Sequence, residues 1–443
     1  MSSSVKQEVL RLGRVILRDL LFLSRSVVQS YTDHLDILNH FLKLYHNSFR
    51  LRLQELADVS LDSDRAYLLL WTNHSYQREV LLHAELKDRL KSEDLGPLLS
   101  PVVLKKIQGQ HRDSIQSRVH FWLNNILLKE EKSWRSGSGS EMIDGFCFSP
   151  LALDVIQVID GALQELKCLS PDQRPDQTSD QTPDQRPDQR PDQRPDQRPD
   201  QSQIFSELPG FLSSYRHSLE EFLKENLKEN LKENLKENLK ENQINTARVV
   251  KAQLVCEEQL RLSQSQEMNV ALRRRCLDAL SALRDCGYCS LTSNVQSQLK
   301  TLLSGLWTQP WLSGTLDVLD FLLDFLSPKL DQLQDLKPTC RKIVLNRLHQ
   351  EVALRFVKNL LKSRKQNHED QEGGASRMKA DAHKLHTFFT AQGGACERTT
   401  HILIQVSEVV RLKDPDFIQL ELVSLTQTCP DLRAGLVKGP PTS

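Results

Sequence analysis

The amino-acid sequence predicts an all-α fold, and three observations carry that expectation. Apolar residues recur at spacings of three and four along most of the 443 residues, the interval that lines up one face of a helix turning about 100° per residue. No stretch shows the sustained alternation of Val, Ile and Thr with polar residues that marks a strand. The breaks between periodic segments carry Gly-Pro, Ser-Pro and Gly-Gly dipeptides, which stop one helix and start the next.

From Val5 to Val59 the apolar positions Val9, Leu10, Leu12, Val15, Ile16 and Leu20, then Leu35, Ile37, Leu38, Phe41, Leu42 and Tyr45, predict two or three helices. Leu61 to Asn73 reads as another, with Asp62 or Ser63 as its cap. Gly96-Pro97 and Ser100-Pro101 interrupt the pattern. Val102 to Lys132 resumes it as far as the Ser-Gly run Ser136 to Ser140, and Ser149 to Cys168 forms one more helix.

Pro171 to Gln201 is a near-perfect repeat of Pro-Asp-Gln-Arg. Proline at every fourth position forbids a helix and there is no apolar side chain to bury, so a solvated, extended linker is expected. A second repeat, Leu-Lys-Glu-Asn, runs from Leu223 to Asn242 and suits a helix. Four residues overshoot a 3.6-residue turn by about 40°, so its leucines spiral around the axis and cannot form a seam of fixed register. Both repeats read as spacers.

Ile244 to Leu283 returns to amphipathic helix, with a break expected at Cys286-Gly287, and Ser290 to Leu306 and Leu316 to Leu326 follow. Pro338 to Lys365 is the clearest long helix, with Pro338 in its first turn and Gly373-Gly374 as its stop. Leu345, Leu348, Val352, Phe356 and Leu360 share one face, and Ile343, Leu354, Val357 and Leu361 lie nearly opposite, so this helix is expected between neighbours. Met378 to Gln392, Thr399 to Arg411 and Pro415 to Thr428 read as three short helices, separated by Gly393-Gly394 and Lys413-Asp414-Pro415. The division expected is amino-terminal helices over 1–60, a helical bundle over 61–170, the disordered linker over 171–202, a bundle containing the repeat helix over 203–300, a carboxy-terminal bundle over 301–435 and a disordered tail over 436–443.

Lys plus Arg, at 58, equals Asp plus Glu, at 58, so no global field draws the chain to nucleic acid or membrane. No segment has the roughly 18 consecutive apolar residues of a membrane span, and charges at Lys6, Arg11, Arg14 and Arg18 interrupt any signal core. Nine cysteines without repeated spacing suit reduced thiols, and a cytoplasmic protein is expected. The chain carries no phosphate-cradling loop motif, no metalloprotease helix motif and no nucleophile elbow. Cys286 and Cys289 form a lone CxxC at a helix end, His383 and His386 lack further ligands nearby, and Glu257-Glu258 and the edge Asp317, Asp320, Asp324 read as solvated faces. No catalytic residue, metal ligand or cofactor is assigned, and the chain is not expected to be an enzyme.

One feature stands out as a candidate site. Arg347, Arg355, Lys358, Lys362 and Lys365 fall within an arc of about 80° on the Pro338 to Lys365 helix, with Glu351 the only acid among them. This basic seam is either solvent-facing charge, paired with the acidic edge upstream, or a contact for acidic lipid headgroups or an acidic partner helix.

Several short stretches resemble one family: Trp71 to Tyr76 with His83-Ala84-Glu85-Leu86, Asp94 to Leu99, Phe211 to Lys224, Leu348-His349 with Glu351-Val352, and Ile418 to Glu421 followed by Cys429 to Leu432. In order and spacing they resemble the exocyst complex component 3 family, and within it the branch containing tumour necrosis factor alpha-induced protein 2 and the exocyst component 3-like proteins. The resemblance implies an elongated rod of stacked helical bundles, as in tethering-complex subunits. It further implies vesicle tethering in exocytosis through SNARE proteins and exocyst subunits, at the cytosolic face of the plasma membrane. For the branch it implies Ral-type small GTPase contact and actin-dependent protrusions. The family supplies no catalytic residues to carry over. A short amino-terminal part, the Pro-Asp-Gln-Arg spacer and the Val437 to Pro441 ending depart from the family pattern.

Overall fold

The computed structural model describes residues 5–28, 36–59, 62–136, 141–168, 202–232, 236–264, 268–362, 368–394 and 397–411. The expected linker from Pro171 to Gln201, the helix from Pro415 to Thr428, the Gly137 to Ser140 part of the Ser-Gly run, the tail from 436 and Lys365 lie outside these residues, as do the Asp62 and Ser63 capping side chains.

The fold is all-α. In chain order the long helices are α1 (Val5–Phe22), α2 (Ile37–Val59), α3 (Asp62–Leu70), α4 (Pro101–Arg135) and α5 (Leu151–Cys168). After the single turn α6 (Ser202–Phe205) come α7 (Glu207–Lys232), α8 (Lys236–Leu262) and α9 (Val270–Leu302). The turn α10 (Gln309–Leu312) precedes α11 (Val318–Asp331), α12 (Pro338–Lys362), α13 (His368–Ala391) and α14 (Glu397–Arg411). They gather into two compact units, one from residues 1–126, 154–211 and 265–275, the other from 127–153, 212–264 and 276–443.

In the first unit Val9, Ile16 and Leu20 of α1, Leu42, Phe49 and Leu53 of α2, and Leu68 and Leu69 of α3 share one core. α3 runs on as a π-helical segment over Trp71–Leu81. Residues five apart nearly align in such a helix, and Trp71 and Tyr76, five apart, are both buried. Thr72 Oγ1 donates back to Leu68 O at 2.9 Å at the point where the wider turn begins. Phe49 meets both rings, 6.2 Å from Trp71 and 5.6 Å from Tyr76 between centroids. His46 ties the loop after α3 to this core, with Nδ1 3.1 Å from the Tyr76 hydroxyl and Nε2 2.8 Å from Gly96 O. Gly13 makes the indole's seat, because a side chain there would collide with the Trp71 ring.

In the second unit two glycines expected to end helices lie inside them. α9 passes straight through Cys286-Gly287, and α13 through Gly373-Gly374. The reason is close approach: a Cβ at Gly287 would strike Gln253 Oε1 and Leu254 of α8, and one at Gly374 would lie 2.5 Å from Trp307. The expected stop at Gly393-Gly394 does occur. Gly393 has φ +91°, Gly394 N donates to Phe389 O at 2.8 Å and Gly393 N to Thr390 O at 2.9 Å, which together satisfy the last carbonyls of α13.

The helical reading missed one hairpin. β1 (Glu141–Ile143) pairs antiparallel with β2 (Phe146–Phe148). Asp144 and Gly145 turn between them at φ +51° and +81°, the doubly left-handed turn whose twist suits paired strands. Cys147 N donates to Asp335 O at 2.9 Å, fastening β2 to the turn after α11. The same Asp335 receives Lys251 Nζ of α8 at 2.5 Å, and that ammonium also donates to Gln332 O at 2.6 Å. Lys251 is 6 % exposed within the otherwise apolar run around Val250 and Leu254, and this pairing makes its burial tolerable.

The two kinds of helix glycine behave differently on substitution. Gly13→Ala is expected to destabilise the protein by about 1–3 kcal/mol through overpacking against Trp71. Gly109→Ala in α4, where a Cβ meets nothing, is expected to stabilise by about 0.5–1 kcal/mol. Thermal denaturation of both variants checks this, and equal shifts would deny Gly13 its role.

Candidate interaction surface

The surface is built on α12. Its first stripe is core: Leu345, Leu348, Val352 and Phe356 are buried, with Leu360 packed against them. The opposite stripe is buried at Val357, half-buried at Leu354 and exposed at Ile343, so the helix is enclosed along part of its length only. His349 is buried too, its ring stacked on Phe389 of α13 at 4.7 Å and 13°. Burial pushes the imidazole down to about 4, because the charged ring would lose water without gaining an acceptor. Asp381, on α13, moves the other way for the same reason, up to about 6.

The structure divides the basic seam. Arg347 hydrogen-bonds to Asp285 of α9, and its guanidinium lies 4.3 Å from the Tyr288 ring centroid. Glu351, one turn on, accepts from Gln296 Nε2 at 3.0 Å, and burial pushes its carboxyl upward. Arg355 and Lys358 are half-buried and have no ion-pair partner among the described residues. Lys362 closes the helix, but its side chain, like all of Lys365, lies outside the described residues. Arg347 is therefore an internal tie between α12 and α9, and Arg355 with Lys358 is what the described seam offers a partner.

The acidic edge of α11 does not serve the seam. Asp320 pairs with Lys384 of α13, and Asp317 lies 4.0 Å from Arg377 of the same helix. Glu257 and Glu258 are not on a solvated face either. Glu257, 3 % exposed, holds Arg261 at 2.5 Å, and Glu258 holds Lys337 at 2.7 Å, joining α8 to the start of α12. Burial raises the Glu257 carboxyl. Cys286 and Cys289 sit within α9, not at its end, the first half-buried and the second exposed. His386 Nδ1 lies 3.2 Å from Thr400 Oγ1 of α14, while His383 is exposed. No group of three or more His, Cys, Asp or Glu side chains with metal-holding geometry occurs among the described residues. Sequence reasoning missed the Lys251, Asp335 and Cys147 junction, whose signal was a lysine inside an apolar run.

A family model described as the exocyst complex component Sec6 matches residues 2–178 and 201–439, leaving out little beyond the Pro-Asp-Gln-Arg repeat. The chain belongs to the Sec6 family. Tumor necrosis factor alpha-induced protein 2 of Mus musculus is 22% identical over 436 residues, covering 98% of this chain and 58% of the mouse protein. The Homo sapiens protein is 22% identical over 432 residues, 96% of this chain and 60% of its own length. The chain thus spans under two thirds of these relatives. Exocyst complex component 3 of Drosophila melanogaster is 23% identical over 159 residues, covering 35% of this chain and 21% of the fly protein. The crystal structure of M-Sec superposes with a TM-score of 0.76 at 20% identity, covering 98% of this chain and 70% of that one, which establishes a shared fold. Residues that carried the family resemblance prove to be core residues here: Trp71, Tyr76, Leu86, Leu348, His349 and Val352 are all buried.

His349 gives a pH test. Its folded value lies below the unfolded one, so the unfolded chain takes up the proton first and stability falls as pH drops from about 6.5 to 4. Asp381, with a raised folded value, gives the opposite slope between about 4 and 6. His349→Leu should therefore gain stability relative to the parent by about 3 kcal/mol on going from pH 7 to pH 4, as measured by urea midpoints at each pH. A constant difference would place the sensitivity elsewhere.

Proposed function

We propose that the chain is a noncatalytic vesicle-tethering protein of exocyst type, acting in exocytosis through contacts with SNARE proteins and other exocyst subunits at the cytosolic face of the plasma membrane. The observation that carries this reading is the family match over both the residues before the Pro-Asp-Gln-Arg repeat and those after it. Long amphipathic helices commit one side to a core and leave the other for partners, the form a tether needs. No described helix is long and apolar enough to cross a membrane, so attachment in this reading is peripheral.

Full-length tagged protein, purified from secretory cells after mild lysis, is expected to bring down exocyst subunits, and the purified protein to retain a SNARE assembly in pull-down. Absence of both would end the tethering reading.

Arg355 and Lys358 favour a second reading, in which the seam with Lys362 and Lys365 meets acidic phosphoinositides and the protein, with a Ral-type GTPase, promotes actin-dependent protrusions. Each cation near an anionic surface contributes about 1 kcal/mol. Joint replacement of Arg355, Lys358 and Lys362 by Glu is expected to reduce flotation with phosphoinositide vesicles at least about tenfold. Unchanged flotation would remove the seam from membrane contact while leaving exocyst association untouched.

A further inference from the structure

The second unit contains a cavity of about 280 Å³ where α7, α8, α9, α11 and α12 meet. At roughly 30 Å³ per water it has room for about nine, or for a chain of comparable heavy-atom count. Its floor is core: Leu330, Val344 and Leu348 are almost fully buried, and Val295 nearly so.

Part of its wall is polar, and several of those side chains have committed a donor within the protein. Thr246 Oγ1 donates to Asn242 O at 2.8 Å, Thr292 Oγ1 to Tyr288 O at 2.9 Å and Asn226 Nδ2 to Phe222 O at 2.8 Å, each back into its own helix. The Lys251 ammonium is held by Gln332 O and Asp335. The exposed Gln243, Ser293 and Asn294 keep the rim polar, while Leu223, Leu291 and Val295 are apolar, so the space suits an occupant that is apolar at one end and polar at the other. The half-buried Lys329, at the edge of this lining, has no ion-pair or hydrogen-bond partner among the described residues. A partly apolar cavity with the uncommitted Lys329 in its lining fits a molecule with an apolar chain and an anionic head.

We infer that this cavity binds a single-chain anionic amphiphile of the medium-chain carboxylate class, its tail against the half-buried Leu223, Ala247 and Leu291 and its carboxylate at Lys329. The volume excludes the two chains of a bilayer phospholipid, so the ligand is a free amphiphile and not a membrane. Leu223 and Asn226, from the first copy of the Leu-Lys-Glu-Asn repeat, form part of the wall and give that end of the repeat a role beyond spacing.

The test is calorimetric titration of the full-length protein with decanoate below its micelle concentration, alongside decanol and butyrate. Decanoate should bind saturably with one site, and decanol and butyrate each at least about tenfold more weakly. Lys329→Gln should bring decanoate down to the level of decanol, and Ala247→Phe, which fills the chamber from a half-buried wall position, should abolish binding with the melting curve retained. If Ala247→Phe fails to fold, Ser293→Trp at the exposed rim replaces it. Absence of saturable decanoate binding, or binding unchanged in both the Lys329 and the filling variants, overturns the inference. Exocyst association is not expected to change in either variant, so loss of this site and loss of the tethering reading are separately visible.

Discussion

The second unit depends on enclosing one stripe of α12. Leu345, Leu348, Val352 and Phe356 are almost fully buried, and at about 25 cal/mol per Å² the apolar area they remove from water outweighs any surface ion pair nearby. Enclosure forces neighbouring helices close, and closeness sets the remaining details. Gly287 lets α9 approach α8, Gly374 admits Trp307, and the start of α12 is fastened to α8 through Lys337 and Glu258. Gly13 and Trp71 solve the same problem in the first unit.

The helices were legible because period and burial coincide. Val9, Ile16 and Leu20, or Leu345 through Phe356, follow the 3.6-residue repeat, and nothing in the tertiary structure overrides it. Glycine was misread for a physical reason. A glycine that ends a helix and one that lets another helix approach have the same local sequence, and only the partner, such as Leu254 for Gly287, separates them. The hairpin escaped because three-residue strands are too short to show a period. Its one signal was Asp144-Gly145 between apolar residues.

Charge was less legible than burial. Angular arithmetic places Arg347, Arg355 and Lys358 within one arc, but the arc of a helix does not reveal what lies opposite it. Arg347 faces Asp285, 62 residues away, and Glu257 is buried against Arg261 where a solvated face was expected. Because pairing across long sequence separations decides which cations remain for a partner, a charge pattern on one helix bounds a surface without defining it. The family match supplies what the pattern lacked, membership of the Sec6 family.

The Leu-Lys-Glu-Asn tract has an evolutionary consequence. α7 runs to Lys232 and α8 resumes at Lys236, so the repeat is helical on both sides of residues 233–235. Each copy gained or lost by polymerase slippage would change helix length by about 6 Å and rotate the following residues by about 40°. Leu227, which opens the second copy, is already exposed, so substitution at that position stays within about 0.5 kcal/mol of neutral and is free to drift.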